Sequence, residues 1–212
     1  MMDKILDIDE CLKDAIACND IEFLEKNKDM YDIDHRFKDE DNDSLLLYSI
    51  SDKESYAYKF LIERGANIAL TNELGEGIMH AIVFSGDVER LEYIVKIFPH
   101  SIAMINDRSN DGTTPLLLAT LLGKDEIFQA LIDMNADISL PDNENNAPIH
   151  MACWDGNINM VKRLVDSGVN LHVKTERGNY PLALAVNGDH DDIVKYLYGI
   201  IYGMPDNTEG AP

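Results

Sequence analysis

The sequence predicts an all-α solenoid, in which helix-turn-helix units stack side by side and are joined by short hairpin loops. Three observations lead to this fold class: a repeat of 33 residues, apolar positions with helical spacing inside each repeat, and helices too short to be stable alone. A helix pair that cannot bury its apolar face unaided must stack on a neighbour, so stability is shared along the array.

The repeat is clearest at three prolines. Pro115, Pro148 and Pro181 lie 33 residues apart, and each begins a similar apolar segment. Downstream the same register holds at Gly123 and Gly156, and it continues through the apolar pairs Ile127-Phe128, Met160-Val161 and Ile193-Val194, and Leu131-Ile132, Leu164-Val165 and Leu197-Tyr198.

The register extends towards the N-terminus through Met79-His80, Leu46-Leu47 and Leu12. We therefore predict one repeat domain over residues 1–204, followed by a disordered C-terminal tail at 205–212. The domain divides into six units, near 7–39, 40–72, 73–109, 110–142, 143–175 and 176–204.

One unit illustrates the local physics. Pro115 suits the first position of a helix, because proline has a helical φ and that position needs no N–H partner. Leu116 and Ala119 then share one face of a short first helix, which Gly123 ends. Ile127 follows with the spacing of a second helix, whose apolar side packs against the neighbouring units.

These units resemble ankyrin repeats, whose signature reads G-x-T-P-L-H-x-A. Thr-Pro-Leu occurs only at Thr114-Pro115-Leu116, and the signature histidine occurs only as His80 and His150, so no unit carries the full motif. The resemblance covers nearly the whole chain. It implies a solenoid that binds proteins and is not an enzyme, with both histidines capping their turns.

Two segments depart from the repeat. The distance from Ile78 to Pro115 is 37 residues, and the extra residues around 98–105 predict a longer loop at 98–109. This loop is either a tolerated surface insertion or a segment that helps to recognise the partner. The last unit continues as the apolar run 198–204, which suggests an extended helix over the core, the remnant of a seventh unit or an interface.

The composition restricts the partners. The chain has 39 acidic and 18 basic residues and a net charge of -21, so it repels nucleic acids and anionic membranes. The charge provides solubility or favours a basic partner. Three cysteines, Cys11, Cys18 and Cys153, are too few for a disulfide framework, and we expect neither a secretory signal nor a membrane span, since the sequence has no apolar 18-residue segment. We expect a monomer in the cytoplasm or another reducing compartment.

No motif for catalysis, a metal or a cofactor stands out. The acidic segment 39–43 resembles the start of a calcium loop, but Ser44 and Ile50 occupy the required glycine and glutamate positions, so a solvated hairpin fits better. Gly75-Glu76-Gly77 lacks the third glycine of a dinucleotide fingerprint. The histidines and cysteines lack zinc-site spacing, and no nucleophile elbow occurs. We expect no cofactor, no metal and no enzymatic activity.

The resemblance places the binding surface on the concave face, where the first helices end and the hairpin tips lie. The ends of three consecutive first helices carry Phe84, Leu121 and Trp154, and an apolar stripe in water requires an explanation. Either the stripe binds a partner protein through an apolar patch, or these side chains cover one another. The neighbouring positions are Leu122, Asp155 and Asn187, and the polar rim consists of Glu76, Asp111, Glu144, Asn146 and Arg177. The alternative function is an acidic inhibitor, decoy or effector that blocks a basic site on its target.

Overall fold

A computed structural model describes residues 7–203, which form two compact units. The first unit ends at Asn110 and the second begins at Asp111. The predicted tail at 205–212 lies outside the described residues. The structure is mostly helical, and the predicted all-α repeat solenoid is confirmed. The six repeat boundaries remain a prediction.

The first unit contains six α-helices, one β-hairpin and two 3-10 segments among its described residues. In chain order these are α1 (Ile8–Ala17), α2 (Ile21–Lys26), a 3-10 turn (Lys28–Met30), β1 (Arg36–Phe37), β2 (Asp43–Ser44), α3 (Leu45–Ser51), α4 (Ala57–Glu63), α5 (Ile78–Ser85), α6 (Val88–Ile97) and a 3-10 helix (Pro99–Asn106). The antiparallel pair β1–β2 is the hairpin expected at 39–43.

The second unit consists of three helix pairs in the part that the structure describes. Its helices are α7 (Pro115–Leu121), α8 (Asp125–Asp133), α9 (Pro148–Trp154), α10 (Ile158–Asp166), α11 (Pro181–Asn187) and α12 (Asp191–Tyr202). Helix α9 packs between α7 and α11, and the side chains of Leu116, Ile149 and Cys153 are fully buried. Burial raises the pKa of the Cys153 thiol to about 12, so this cysteine stays a neutral core residue.

The first helices begin where the repeat predicts. Pro115, Pro148 and Pro181 each occupy the first turn of a helix, at α7, α9 and α11. The Thr114 hydroxyl caps α7 by accepting a hydrogen bond from the Leu117 N–H at 3.2 Å. Such a cap satisfies one of the amide groups that has no partner inside the helix.

The two signature histidines cap their turns, as predicted. The Nδ1 atom of His150 accepts a hydrogen bond from the Ala147 N–H at 3.0 Å, and His80 accepts one from Gly77 at 3.3 Å. Because Nδ1 of His150 is an acceptor, its Nε2 carries the proton and faces the Val173 carbonyl at 3.3 Å. Burial lowers the pKa of His150, which favours this neutral form.

Successive hairpin tips are joined by backbone hydrogen bonds within each unit. An N–H of one tip donates to a carbonyl of the preceding tip at 2.8 Å in all four cases. These bonds run from Glu73 to Asp41 and from Asn110 to Leu74 in the first unit, and from Asn143 to Asp111 and from Glu176 to Glu144 in the second. The tips therefore have a fixed spacing that does not depend on their side chains.

The sequence predicts a longer loop after α6, and the structure shows that the extra residues are helical. They form the 3-10 helix Pro99–Asn106, and its residues Ser101 and Ile105 are buried. Proline lacks an N–H and cannot continue the α-helical hydrogen-bond pattern, so Pro99 starts a new and tighter turn. The insertion is thus a packed element, with Ile102 on its exposed side.

Arg90 is fully buried at a position where the later repeats carry Ile127, Met160 and Ile193. Its guanidinium reaches the linker between α3 and α4, where Lys53 replaces the glycine found one repeat later as Gly86. Gly86 has φ of 68° and allows a tight turn, whereas the α3–α4 linker runs from Asp52 to Tyr56. Arg90 donates to the carbonyls of Ser49, Ile50, Asp52, Lys53 and Ser55 at 2.5–3.3 Å and to the Asp87 carboxylate at 3.1 Å.

We expect Arg90→Met to lower the free energy of unfolding by about 3 kcal/mol, although methionine suits this position in a later repeat. The substitution removes the donor of five carbonyls, two in the last turns of α3 and three in the longer linker. Urea denaturation followed by circular dichroism measures the effect. Arg64→Met is the control, because Arg64 is exposed and its ion pair with Glu25 contributes little. Equal stability of the two variants would contradict this role of Arg90.

Candidate functional site

The predicted binding residues at the ends of the first helices are exposed in both units. In the first unit, Phe84 lies in the last turn of α5 and is 41% exposed. In the second unit, Leu121 ends α7 and Trp154 ends α9, and they are 43% and 53% exposed. Leu122, Asp155 and Asn187 are also exposed. Each unit thus presents large apolar side chains to solvent at the helix ends that the repeat register indicates.

The backbone beneath Trp154 is held by the next helix pair. Nε2 of His190 lies 2.9 Å from the Trp154 carbonyl oxygen, and the imidazole occupies the space that a β-carbon at Gly156 would need. Gly156 also has φ of 78°, in the left-handed region that favours glycine. Both the backbone conformation and the lack of space for a β-carbon therefore require glycine there. The indole is therefore exposed on a fixed backbone, which lowers the entropy that binding would cost.

The predicted polar rim contains two kinds of residue. Glu76 and Asn146 are half-buried and hydrogen-bond within their own hairpins, to Asn72 at 3.0 Å and to Asp142 at 2.9 Å. They stabilise the turn and offer a partner only part of their hydrogen-bonding capacity. Asp111, Glu144 and Arg177 are exposed at hairpin tips.

A groove of about 350 Å³ lies beside Phe84 in the first unit. Its walls combine apolar side chains with three carboxylates. The lining residues are Asp41, Asp43, Leu47, Ser51, Leu74, Glu76, Gly77, Ala81 and Phe84. We call it the acidic groove. Two of the predicted site residues, Phe84 and Glu76, thus lie together in one depression.

Asp43 is the electrostatic centre of the acidic groove. Partial burial, together with the negative charges of Glu76, Asp41 and Glu40, raises the pKa of its carboxyl to about 6, against a hydrogen bond from Asn72. The ionised groove lacks a compensating positive charge among its lining residues. A cation entering it would be attracted by three carboxylates over an aromatic ring.

Sequence reasoning missed Asp41 and Asp43 as site residues, because it rejected a calcium loop there and assigned the segment to a solvated hairpin. The repeat register does indicate Asp43, because this residue lies 33 residues before Glu76 and so occupies the same rim position one repeat earlier. Its burial depends on side chains from a different hairpin, which the register alone does not reveal.

Residues 7–203 contain no candidate metal site and no candidate membrane-spanning helix. No group of three or more His, Cys, Asp or Glu side chains in this range could hold a metal ion. No helix in the same range is long and apolar enough to cross a membrane.

Stacked helix pairs with fixed hairpin tips and exposed helix ends define a helical repeat protein. The profile of the family described as ankyrin repeats (3 copies) matches residues 46–142 and 126–208, so the chain belongs to the ankyrin-repeat family. Ankyrin repeats are generally protein–protein interaction modules and are generally not catalytic.

Individual relatives are distant. The chain is 28% identical over 109 residues to the neurogenic locus notch homolog protein 1 of Homo sapiens, Mus musculus and Cricetulus griseus. The match covers 51% of this chain and 4% of each relative. The chain therefore corresponds to a small part of those proteins.

Because the folded-state pKa of Asp43 lies above its ordinary value, the ionised carboxylate destabilises the fold above about pH 6. We expect Asp43→Asn to raise the free energy of unfolding at pH 7.5 by about 1 kcal/mol, since the partly exposed carboxylate keeps some of its hydration and solvent screens part of the repulsion. The gain shrinks as the pH falls from 6 to about 4, where Asp43 in the folded wild type takes up a proton. Urea titrations at several pH values measure it, with exposed Glu92→Gln as the control. A gain that stays constant with pH would contradict this account.

Proposed function

We propose that this chain is a non-catalytic adaptor that binds another protein on the face formed by the first-helix ends and hairpin tips. The observation that carries the proposal is Trp154, which is exposed at the end of α9 on a backbone fixed by His190. Tryptophan is the side chain most enriched at interface hot spots, and this is the single tryptophan of the chain.

The surroundings of Trp154 support an interface. Leu121 and Leu122 are exposed at the end of α7, the first helix that packs beside α9. Asp111, Glu144 and Arg177 supply exposed polar groups at the tips. An apolar centre with a polar rim is the usual arrangement of a protein-binding surface. The partner would therefore present an apolar patch to the second unit.

A second function is favoured by the acidic groove. Three carboxylates beside Phe84 would accept a lysine or arginine side chain, and the net charge of -21 would attract a basic surface from a distance. In this alternative, the chain is an acidic inhibitor, decoy or effector that blocks a basic site on its target. The free cysteines Cys11, Cys18 and Cys153 support a reducing compartment such as the cytoplasm for either function.

The first test concerns Trp154. A partner recovered by affinity capture on the wild-type chain is purified, and its Kd is measured by calorimetry for wild type and for Trp154→Ala. We expect the substitution to weaken binding by about 30-fold or more, as loss of a hot-spot aromatic does. Tyr198→Ala is the matched control, because Tyr198 is a comparably exposed aromatic residue on α12. Unchanged affinity with retained folding would exclude Trp154 as an anchor.

The salt dependence of the same complex separates the two functions. Binding through the apolar surface should change little between about 50 and 500 mM salt, whereas binding to a basic site should weaken steeply. For the basic target, Glu76→Gln should also weaken binding about fivefold and reduce the salt dependence. Glu89→Gln, an exposed charge on α6, is the control. A steep salt dependence of binding, together with an unchanged Kd for Trp154→Ala, would favour the inhibitor or decoy function.

A further inference from the structure

The last described helix pair has an apolar face that no other described element covers. A groove of about 580 Å³ lies between α11 and the end of α12, and we call it the terminal groove. Its apolar walls come chiefly from Leu171, Tyr180, Leu182, Val186, Ile201 and Tyr202. Val186 is 52% exposed and Tyr202 is 60% exposed.

The same register positions are internal contacts one repeat earlier. Leu182 and Val186 correspond to Ile149 and Cys153, which are fully buried in α9, where α7 and α11 pack on either side. The terminal groove is therefore the continuation of an established interface between helix pairs. Its shape and chemistry suit a further helix pair of the same kind.

The end of α12 deepens this groove. Helix α10 stops at Asp166, before the left-handed turn at Gly168, but α12 continues to Tyr202. Ile201 stands where Gly168 stands one repeat earlier, so the tight turn is replaced by another helical turn. The extra turn places Ile201 and Tyr202 as a wall beside α11.

The distribution of charge indicates which helix pair can bind there. Residues 171–203 carry 4 acidic and 3 basic side chains, a net charge of -1 in a chain of -21, and no Asp or Glu of this described segment lines the terminal groove. Residues 7–26, in α1 and α2, carry 7 acidic and 2 basic side chains. Two copies can therefore meet at the α11–α12 end with little charge repulsion, whereas two α1–α2 ends would repel each other.

We propose that the terminal groove binds the terminal groove of a second copy of this chain, giving a two-fold symmetric dimer in place of the expected monomer. In a two-fold interface each residue meets its own counterpart or a neighbour from the same patch, so an apolar patch without carboxylates is self-complementary. The α11 helix of each copy then takes the place that a following first helix has inside the array. This proposal does not depend on the partner-binding function.

Sedimentation velocity on the full 212-residue chain tests the dimer over a range of concentrations. We expect the 23.8 kDa monomer to convert to a dimer as concentration rises. We also expect the dimer to strengthen between about 50 and 500 mM NaCl, because salt screens the repulsion between two acidic chains. Val186→Lys should weaken dimerisation at least tenfold, since it puts like charges in the interface. A lysine suits the last turn of α11, so the fold should be retained, which circular dichroism checks.

Ile97→Lys is the matched control, because it adds the same charge at another exposed apolar position in the last turn of a helix, α6, outside both proposed binding surfaces. Tyr202→Lys is a second interface variant if Val186→Lys does not fold. Loss of the dimer in an interface variant but not in the control supports the proposal. A chain that stays monomeric up to about 500 µM overturns it. Oligomers larger than a dimer, or a dimer insensitive to every folded interface variant, overturn it as well.

Discussion

The structure depends on one constraint, which is that none of the helices in residues 7–203 is long enough to be stable alone. Most have seven to ten residues, and the longest of those described, α12, has 12, whereas isolated helices need about 12–15 residues to be even marginally stable in water. Packing against the neighbouring pair and the backbone bonds between hairpin tips supply the remaining stability. These contacts do not require the complete repeat signature, so repeats that have lost parts of the signature still form the same helix-pair stack.

Arg90 shows how a lost signature residue is replaced by a contact from elsewhere. Where Lys53 takes the place of a glycine, a tight left-handed turn would be strained, and the linker follows a longer path with several carbonyls directed inwards. The guanidinium of Arg90, from the following repeat, lies among these carbonyls. Later repeats carry an apolar side chain at this position. The two departures make sense only together, because beside a tight glycine turn the buried guanidinium would keep the Asp87 carboxylate but lack these carbonyl acceptors.

Much of the fold follows from the sequence, because proline, glycine and apolar spacing act locally. The starts of α7, α9 and α11, the caps from His80 and His150, and the exposed helix ends at Phe84 and Trp154 all lie where the repeat register indicates. Features that depend on contacts between repeats cannot be predicted from the sequence in this way. Arg90 would be assigned to the surface on residue type alone, Asp43 owes its raised pKa to burial under another hairpin, and Pro99–Asn106 is ordered by packing of its own side chains.

The distribution of charge decides which surfaces of this chain can meet a copy of it and which require a different protein. Each copy carries the same excess of carboxylates, so an acidic surface such as the one around Asp43 repels its counterpart and can be neutralised only by a foreign basic group. In the described segment 171–203 that barrier is small, because its net charge is -1 and its groove is mostly apolar. The surface at Trp154 combines an apolar group with a charged one. Trp154 is an exposed aromatic residue, and it lies beside Asp155, whose pKa is raised by partial burial. Under the proposed function, a partner that covered the indole would also have to accept or neutralise this carboxylate, so specificity would arise from the charge beside Trp154 as much as from Trp154 itself.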